Sequence, residues 1–335
     1  MTGSTRAIAL AARPHGTPQV SDFVEVIREL RSVGSGMIKV RNTVLSVDPY
    51  MRGQMTGHDS YIKAFPLGEP MTGGAVGEVI ESSNPDVSIG DTVRHDHGWR
   101  EFAVLEPGQF SVIDTDLAPA SAYLGILGMT GLTAYVGLTR IAGLAPGDSV
   151  FVSGAAGAVG SAAGQIARAL GASKVVGSAG SSAKVKHLVD DLGFDHAFDY
   201  HDGPVVDLIG NGLPEGIDVF FDNVGGDHLQ GALTHTNDFA RIVTCGSISS
   251  YDSTESVPGP NNLDLAIVRR LTIRGFIVYD HPDLEAEYVA KASAWIADGA
   301  LRYEETWHEG LDQAIDAFLG LGRGQNLGKM LVRLP

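Results

Sequence analysis

The stretch Val150-Phe-Val-Ser-Gly-Ala-Ala-Gly-Ala-Val-Gly-Ser161 constrains this chain more than any other. A β-branched and aromatic run enters a glycine-rich turn, which opens into a helical pattern over residues 162–170. A strand, a tight loop and a helix N-terminus in that order bind a dinucleotide pyrophosphate. Glycines let the backbone approach the phosphates, and free N–H groups at the helix start attract the anion. Gly157 and Gly160 fill the second and third positions of G-x-G-x-x-G, and Ala155 stands at the first. The motif lies mid-chain, so a first domain precedes the nucleotide-binding unit.

The 335 residues suit about two domains. The 43 glycines are nearly twice the usual share of about 7%, without a G-X-Y period, which fits many tight turns. A net charge of −16 argues against a nucleic-acid partner, which needs clustered Lys and Arg. No apolar run reaches the roughly 18 residues of a membrane span, and residues 1–16 lack a signal-peptide core. Cys245 is the only cysteine, so neither an intrachain disulfide nor a cysteine-based zinc site is available. The expected compartment is the cytoplasm.

Residues 1–122 read as β-rich, with strand-like runs at 23–26, 37–41, 74–81 and 91–93 separated by Gly, Pro, Asn and Asp. Residues 123–143 switch to a helical period and read as a linking helix. Strand-like segments follow at 150–153, 174–177, 196–199, 218–222, 241–246 and 272–279. Helical ones lie among them, at 184–192, 228–235 and 263–270, with a last at 284–297. Six strands with intervening helices predict an α/β fold with a doubly wound parallel sheet. The tail, ending in the extended run Lys329-Met-Leu-Val-Arg-Leu334, is expected to rejoin the first domain.

The second strand of such a unit carries an Asp or Glu for NAD ribose hydroxyls, about 20 residues beyond the glycine loop. That site reads Gly177-Ser-Ala-Gly-Ser-Ser-Ala-Lys184, with no carboxylate. Small residues leave room for a 2′-phosphate, Ser181 can hydrogen-bond it and Lys184 can supply charge. The reading is NADPH over NADH. The plain alternative for Lys184 is a solvated helix lysine. Arg168 is a rival phosphate partner, placed less well inside the first helix.

The motifs add up to a resemblance. Leu45-Ser-Val-Asp-Pro-Tyr-Met-Arg-Gly53, Gly128-Met-Thr-Gly-Leu-Thr-Ala-Tyr135 and the glycine loop run in order with Phe221-Asp-Asn-Val-Gly-Gly-Asp227, Cys245-Gly-Ser-Ile-Ser-Ser-Tyr251 and Asn326-Leu-Gly-Lys-Met330. The chain resembles the zinc-independent branch of the medium-chain dehydrogenase/reductases. That branch includes leukotriene B4 12-hydroxydehydrogenase/prostaglandin reductases, alkenal double-bond reductases and curcumin reductase-like enzymes. Thr130 stands where many members carry proline, and His201 where a lysine is common. The resemblance implies a GroES-like catalytic domain over 1–122 and 302–335 and an NADP-binding Rossmann domain over 123–301.

Zinc enzymes of that superfamily polarise the substrate with a metal held by Cys and His, but here the corresponding segment reads Ser46-Val47-Asp48. His58, His95 and His97 are scattered, and a solvated loop explains the last two better than a metal does. Without a Lewis acid the expected reaction is reduction of an activated C=C bond. Hydride goes to Cβ of an enone or enal, hydrogen-bond donors stabilise the enolate, and a proton reaches Cα. Tyr251 is the first candidate donor, because its loop follows a strand's carboxyl end, where doubly wound sheets bind ligands; an exposed loop tyrosine is the alternative. Tyr50 is the second, with packing as its alternative. The cofactor ribose hydroxyl could itself donate, and solvent could protonate Cα.

The resemblance implicates Gly157, Ala158, Val159 and Gly160 at the pyrophosphate, and Ser181, Lys184 and Tyr200 at the 2′-phosphate end. It adds Asn223, Cys245 and Asn326 as cofactor contacts, and Met129 and Thr133 toward the nicotinamide. Asn223 at a strand's carboxyl end could reach the ribose or merely brace its turn. Tyr61, Phe65 and Trp99 could form an apolar wall or belong to the core. Cys245 as a nucleophile would need a nearby base, and the sequence suggests none. The expected substrate is a small apolar enone or enal. A quinone reductase on the same fold and a non-catalytic NADPH-binding regulatory protein are the alternatives. No nucleic acid or membrane partner is expected. The apolar run 271–279 at a sheet edge predicts a homodimer.

Overall fold

The computed structural model describes residues 3–335. Met1 and Thr2, where the first-domain and leader-segment readings begin, lie outside the described residues. The chain divides into two compact units. Among the described residues the first comprises 3–125, 305–326 and 330–335, and the second 126–304 and 327–329.

The first unit is antiparallel β. One ribbon pairs Ser4–Leu10 with Phe23–Glu29. A larger sheet runs in the spatial order Glu305–Glu309, Lys329–Arg333, Ile38–Ser46, Ala75–Ser82, Thr92–His95 and Phe110–Val112, with Phe102–Leu105 also on Ile38–Ser46. Alternate residues Ile38, Val40, Asn42 and Val44 are buried, as a strand with one covered face requires. The tail completes this sheet, with Leu331 opposite Ser46 and Arg333 opposite Val44. Beside it a core gathers Leu10, Phe23, Met51, Phe65, Trp99 and Phe318. The sequence reading did not pick out Ser4–Leu10, Phe102–Leu105 or Phe110–Val112, nor the tail's Glu305–Glu309 and helix Ala314–Gly322.

The second unit holds six parallel strands in the order His196–Asp199, Lys174–Ala179, Ser149–Val152, Ile217–Asp222, Thr236–Thr244 and Thr272–Gly275. In chain order within the unit this is 3-2-1-4-5-6, the doubly wound dinucleotide-binding topology. Ser149–Val152 sits centrally and all four of its residues are buried. Helices Ala158–Ala169, Ser182–Asp190, Val205–Gly212 and Gly226–His235 connect the strands.

Several expected boundaries move. The linking helix over 123–143 is broken: a 3-10 turn at Ala120–Leu124 ends at Gly125, a helix restarts at Met129–Val136, and a π-helical turn spans Gly137–Ile141. Ile126 folds back onto the new helix, where a Cβ on Gly131 would lie 2.0 Å from the Ile126 carbonyl oxygen. The sixth strand stops at Gly275 rather than 279, because Thr244 opposite it is the last residue of its partner strand. The helix expected over 263–270 shortens to Leu265–Val268. Val205–Gly212, a segment the sequence reading did not pick out, is a helix: Gly210 and Gly231 let it approach Gly226–His235 closely.

Candidate cofactor and active site

The glycine loop folds as its residues dictate. Gly154 takes a positive φ of 60°, and Gly157 precedes the helix Ala158–Ala169. A Cβ on Gly160 would lie 2.4 Å from the Gly154 carbonyl oxygen, so only glycine brings helix and loop together there. Ala155 can replace the first glycine because Gly177 lies beneath it: a Cβ on Gly177 would be 2.7 Å from the Ala155 methyl. By contrast, a Cβ on Gly157 would meet only the Gly154 oxygen, at 3.5 Å. The N–H groups of Ala158, Val159 and Gly160 form the first turn of a 12-residue helix without a side-chain cap, and lack intrahelical acceptors. Open space at Gly157 beside a helix N-terminus fits a pyrophosphate. The tail's Gly328 donates its N–H to the Ala156 carbonyl at 2.9 Å, beside this loop, and Asn326 comes two residues earlier.

At the end of the second strand, Ser181 caps helix Ser182–Asp190 by accepting the Lys184 N–H at 3.3 Å. Its hydroxyl proton remains a donor. Lys184 is half-buried, and desolvation pushes its ammonium below the usual lysine range. Tyr200 donates its N–H to the Ala179 carbonyl at 3.1 Å and carries its ring to Gly180. The structure therefore gathers Ser181, Lys184 and Tyr200 at one strand end, where no carboxylate stands in the segment 177–184. Arg168 is engaged elsewhere, paired with Asp195 and donating to the Gly193 carbonyl at 3.1 Å.

The ends of the first, fourth and fifth strands are tied together by Asp222. Its Oδ1 accepts the Ser153 hydroxyl at 2.8 Å and the N–H groups of Val224 at 3.0 Å and Gly225 at 2.9 Å. Its carbonyl accepts the N–H groups of Cys245 at 2.9 Å and Gly246 at 3.0 Å. Burial pushes the Asp222 carboxyl up, against the pull of those three donors. The Asn223 side-chain amide donates to the Ser153 carbonyl at 2.8 Å, bracing the turn at the strand's carboxyl end. The Tyr251 loop rests on the same turn, with Ile248 donating to the Asn223 carbonyl and Ser249 to that of Val224, both at 3.2 Å. Gly225 makes this possible, since a Cβ there would lie 2.6 Å from the Ser247 hydroxyl.

Tyr251 follows the short turn Ile248–Ser250 and is partly buried rather than an exposed loop residue. Its hydroxyl would be 3.5 Å from a Cβ on Gly246. Burial pushes its phenol up, and a backbone hydrogen bond from Ser247 opposes the shift. Cys245, at the start of the same loop, is half-buried; desolvation and the nearby Asp222 push its thiol up to about 12, which suits an inert side chain and not a nucleophile. Thr133 donates its hydroxyl to the Met129 carbonyl at 2.7 Å, so both sit on one turn of their helix.

Within the first unit, Tyr50 is half-buried against the core and leads into the short helix Met51–Gln54. Of the three residues considered for an apolar wall, Phe65 and Trp99 belong to the core, 2% and 0% exposed, whereas Tyr61 is exposed. The reading of His95 and His97 as a solvated loop fails for His95, while His97 lies past the strand and is half-buried. His95 ends a strand, is 3% exposed, and shares 2.9 Å with Asn42 Oδ1 through Nε2. Ser46 bonds to Asp48, and among the described residues no group of three or more His, Cys, Asp or Glu could hold a metal ion. No helix among the described residues is long and apolar enough to cross a membrane.

Residues 6–113 match a family described as the N-terminal domain of oxidoreductase, and residues 158–297 one described as zinc-binding dehydrogenase. The YfmJ protein of Bacillus subtilis (strain 168) is 43% identical over 100% of this chain and 99% of its own. The chain belongs to the medium-chain dehydrogenase/reductase family. A second member, the NADP(+)-dependent 2-alkenal reductase of Nicotiana tabacum, is 39% identical over 98% of this chain and 97% of its own. The crystal structure of Vibrio vulnificus CurA in complex with NADPH superposes with a TM-score of 0.93. It is 35% identical and covers 98% of this chain and 99% of that one.

Sequence reasoning missed Ser153 and Asp222 as the framework of this site. The signal was present: a buried-strand pattern ending in Phe-Phe-Asp222 places a carboxylate where it must find donors.

Proposed function

We propose that this chain binds NADPH and reduces the C=C bond of α,β-unsaturated ketones or aldehydes without a metal. The carrying observation is the Tyr251 hydroxyl, held by the Asp222-braced loops at the carboxyl end of the sheet and kept protonated by burial. The names of the tobacco alkenal reductase and of CurA with NADPH support the same reading.

In this reading the backbone N–H groups of Ala158, Val159 and Gly160 hold the pyrophosphate of NADPH, and Ser181, Lys184 and Tyr200 its 2′-phosphate end. Asn223, Asn326, Met129, Thr133 and the backbone at Cys245 hold the rest. Bound NADPH supplies the hydride. Tyr251 donates its phenolic proton as a hydrogen bond to the substrate carbonyl oxygen, where negative charge grows as Cβ is reduced. A phenol pushed above its ordinary value stays a donor across neutral and mildly basic pH. Tyr50 is the second proposed donor. The proton at Cα comes from solvent. A homodimer joins through the Thr272–Gly275 edge, whose four residues are all exposed.

The test is NADPH consumption with a panel of enals, enones and quinones. Turnover of enals and enones is expected; rapid quinone turnover with none on enones would assign quinone reduction instead. Tight NADPH binding with no oxidation across the panel would make the chain a non-catalytic binder.

A further inference from the structure

Asp222 is a fully buried carboxylate, 0% exposed, that hydride transfer itself does not use. All three of its side-chain bonds fall on Oδ1, from Ser153, Val224 and Gly225. Oδ2 is buried without a hydrogen-bond partner among the described residues. A buried oxygen left unpaired costs stability, so the carboxylate is kept for what Oδ1 holds. The Ser153 hydroxyl extends that hold, because it also accepts the Asn223 N–H at 2.8 Å.

The two loops joined at this carboxylate depend on it unequally. The glycine loop has anchors of its own. Ser153 donates its N–H to the Phe221 carbonyl at 3.1 Å, Ala155 to the Ser178 carbonyl at 2.8 Å, and Gly154 to the Ser178 hydroxyl at 3.3 Å. The Tyr251 loop instead hangs on the turn that the carboxylate shapes. Cys245 and Gly246 donate to the Asp222 carbonyl, Ile248 to that of Asn223 and Ser249 to that of Val224. The Ser249 hydroxyl reaches the same Val224 carbonyl at 2.6 Å. The N–H groups of Ser250 and Tyr251 bond only within the loop, to the carbonyls of Ser247 at 2.9 Å and Ile248 at 3.3 Å.

We propose that Asp222 is a positioning residue for the reaction: by fixing the turn at 222–225 it aims the Tyr251 hydroxyl, while the hold on NADPH stays with the glycine loop's own anchors. The inference rests on Tyr251 as the enolate donor and extends that reading to the group that sets the donor's position. A charged oxygen accepts hydrogen bonds about twice as strongly as a neutral one. The amide of Asp222→Asn therefore keeps the acceptor at Oδ1 but loosens the turn.

The test is a double-mutant cycle of Asp222→Asn and Tyr251→Phe, read as the single-turnover rate with methyl vinyl ketone and as the Kd of NADPH. Asp222→Asn should lower the rate about tenfold with Tyr251 present and by less than about twofold in Tyr251→Phe, because a loosened loop costs nothing once it carries no donor. The NADPH Kd should stay within about twofold of wild type in every protein of the cycle. If Asp222→Asn does not fold, judged by thermal melts, Ser153→Ala takes its place. It removes one of the three donors on Oδ1 and should lower the rate about threefold, again only when Tyr251 is present. No rate loss, equal losses in both backgrounds, or an NADPH Kd that rises as far as the rate falls overturns the proposal. A Tyr251→Phe protein as fast as wild type would instead remove the Tyr251 reading itself, and the positioning role with it.

Discussion

Mild acid should destabilise the first unit through one buried histidine. The His97 N–H donates to His95 Nδ1 at 3.0 Å, so Nδ1 is an acceptor and the His95 proton sits on Nε2, facing Asn42 Oδ1. Asn42 in turn donates to the carbonyls of His97 at 3.1 Å and Arg100 at 2.9 Å. A second proton on His95 would sit on Nδ1 against the His97 N–H and place a charge in a dry site near Arg100. Burial, with His97 and Arg100 nearby, pushes His95 down to about 3. The unfolded chain binds a proton below about 6.5 and the folded chain does not until about 3, so stability is lost as pH falls through that window. Linkage gives a loss of about 2 kcal/mol between pH 8 and pH 5, and about 3 kcal/mol by pH 4. Urea unfolding at pH 8 and pH 5, followed by fluorescence, measures it. His95→Gln is less stable at pH 8 but removes the titration, so its own loss between the two pH values should shrink by about 2 kcal/mol. Equal losses in the two proteins would refute the buried-network argument.

Three further outcomes follow from the site. Tyr251→Phe should lower kcat on an enone about tenfold to hundredfold while leaving NADPH affinity unchanged, as removal of a donor used in the transition state does; unchanged turnover would move enolate stabilisation to another group. Lys184→Ala should raise the KM for NADPH about tenfold or more and that for NADH less than about twofold, the pattern of a lost charge-assisted bond to phosphate; equal losses would deny the lysine that role. Light scattering should give twice the 35.2 kDa chain mass, and Ile273→Lys on the exposed edge strand should halve it; a wild-type monomer or trimer would contradict the edge-to-edge dimer.

The parallel sheet was legible because its strands are short apolar runs bounded by Gly and Asp, and the glycine loop announced which strand came first. The 3-2-1-4-5-6 order then follows from the fold's crossover rules. What escaped the sequence was decided by tertiary contact. The helix Val205–Gly212 was not picked out from the sequence; its Gly210 faces another helix, where a Cβ would meet His235 at 2.6 Å. His95 reads as a polar loop residue beside a turn, yet Asn42, distant in sequence, gives it a buried partner. The candidate residues at the strand ends were visible as motifs, and Asp222 stood within one of them, but the partner it holds was not visible. Asp222 acts on Ser153, 69 positions earlier, and no local pattern reports that distance.

The central claim is that hydride enters the carbon–carbon double bond and not the carbonyl. Its direct test is product analysis by NMR after turnover of an enone with NADPH carrying deuterium at the transferable C4 position. The account predicts a saturated ketone with deuterium at Cβ and a solvent proton at Cα. An allylic alcohol with deuterium on the carbinol carbon would contradict it.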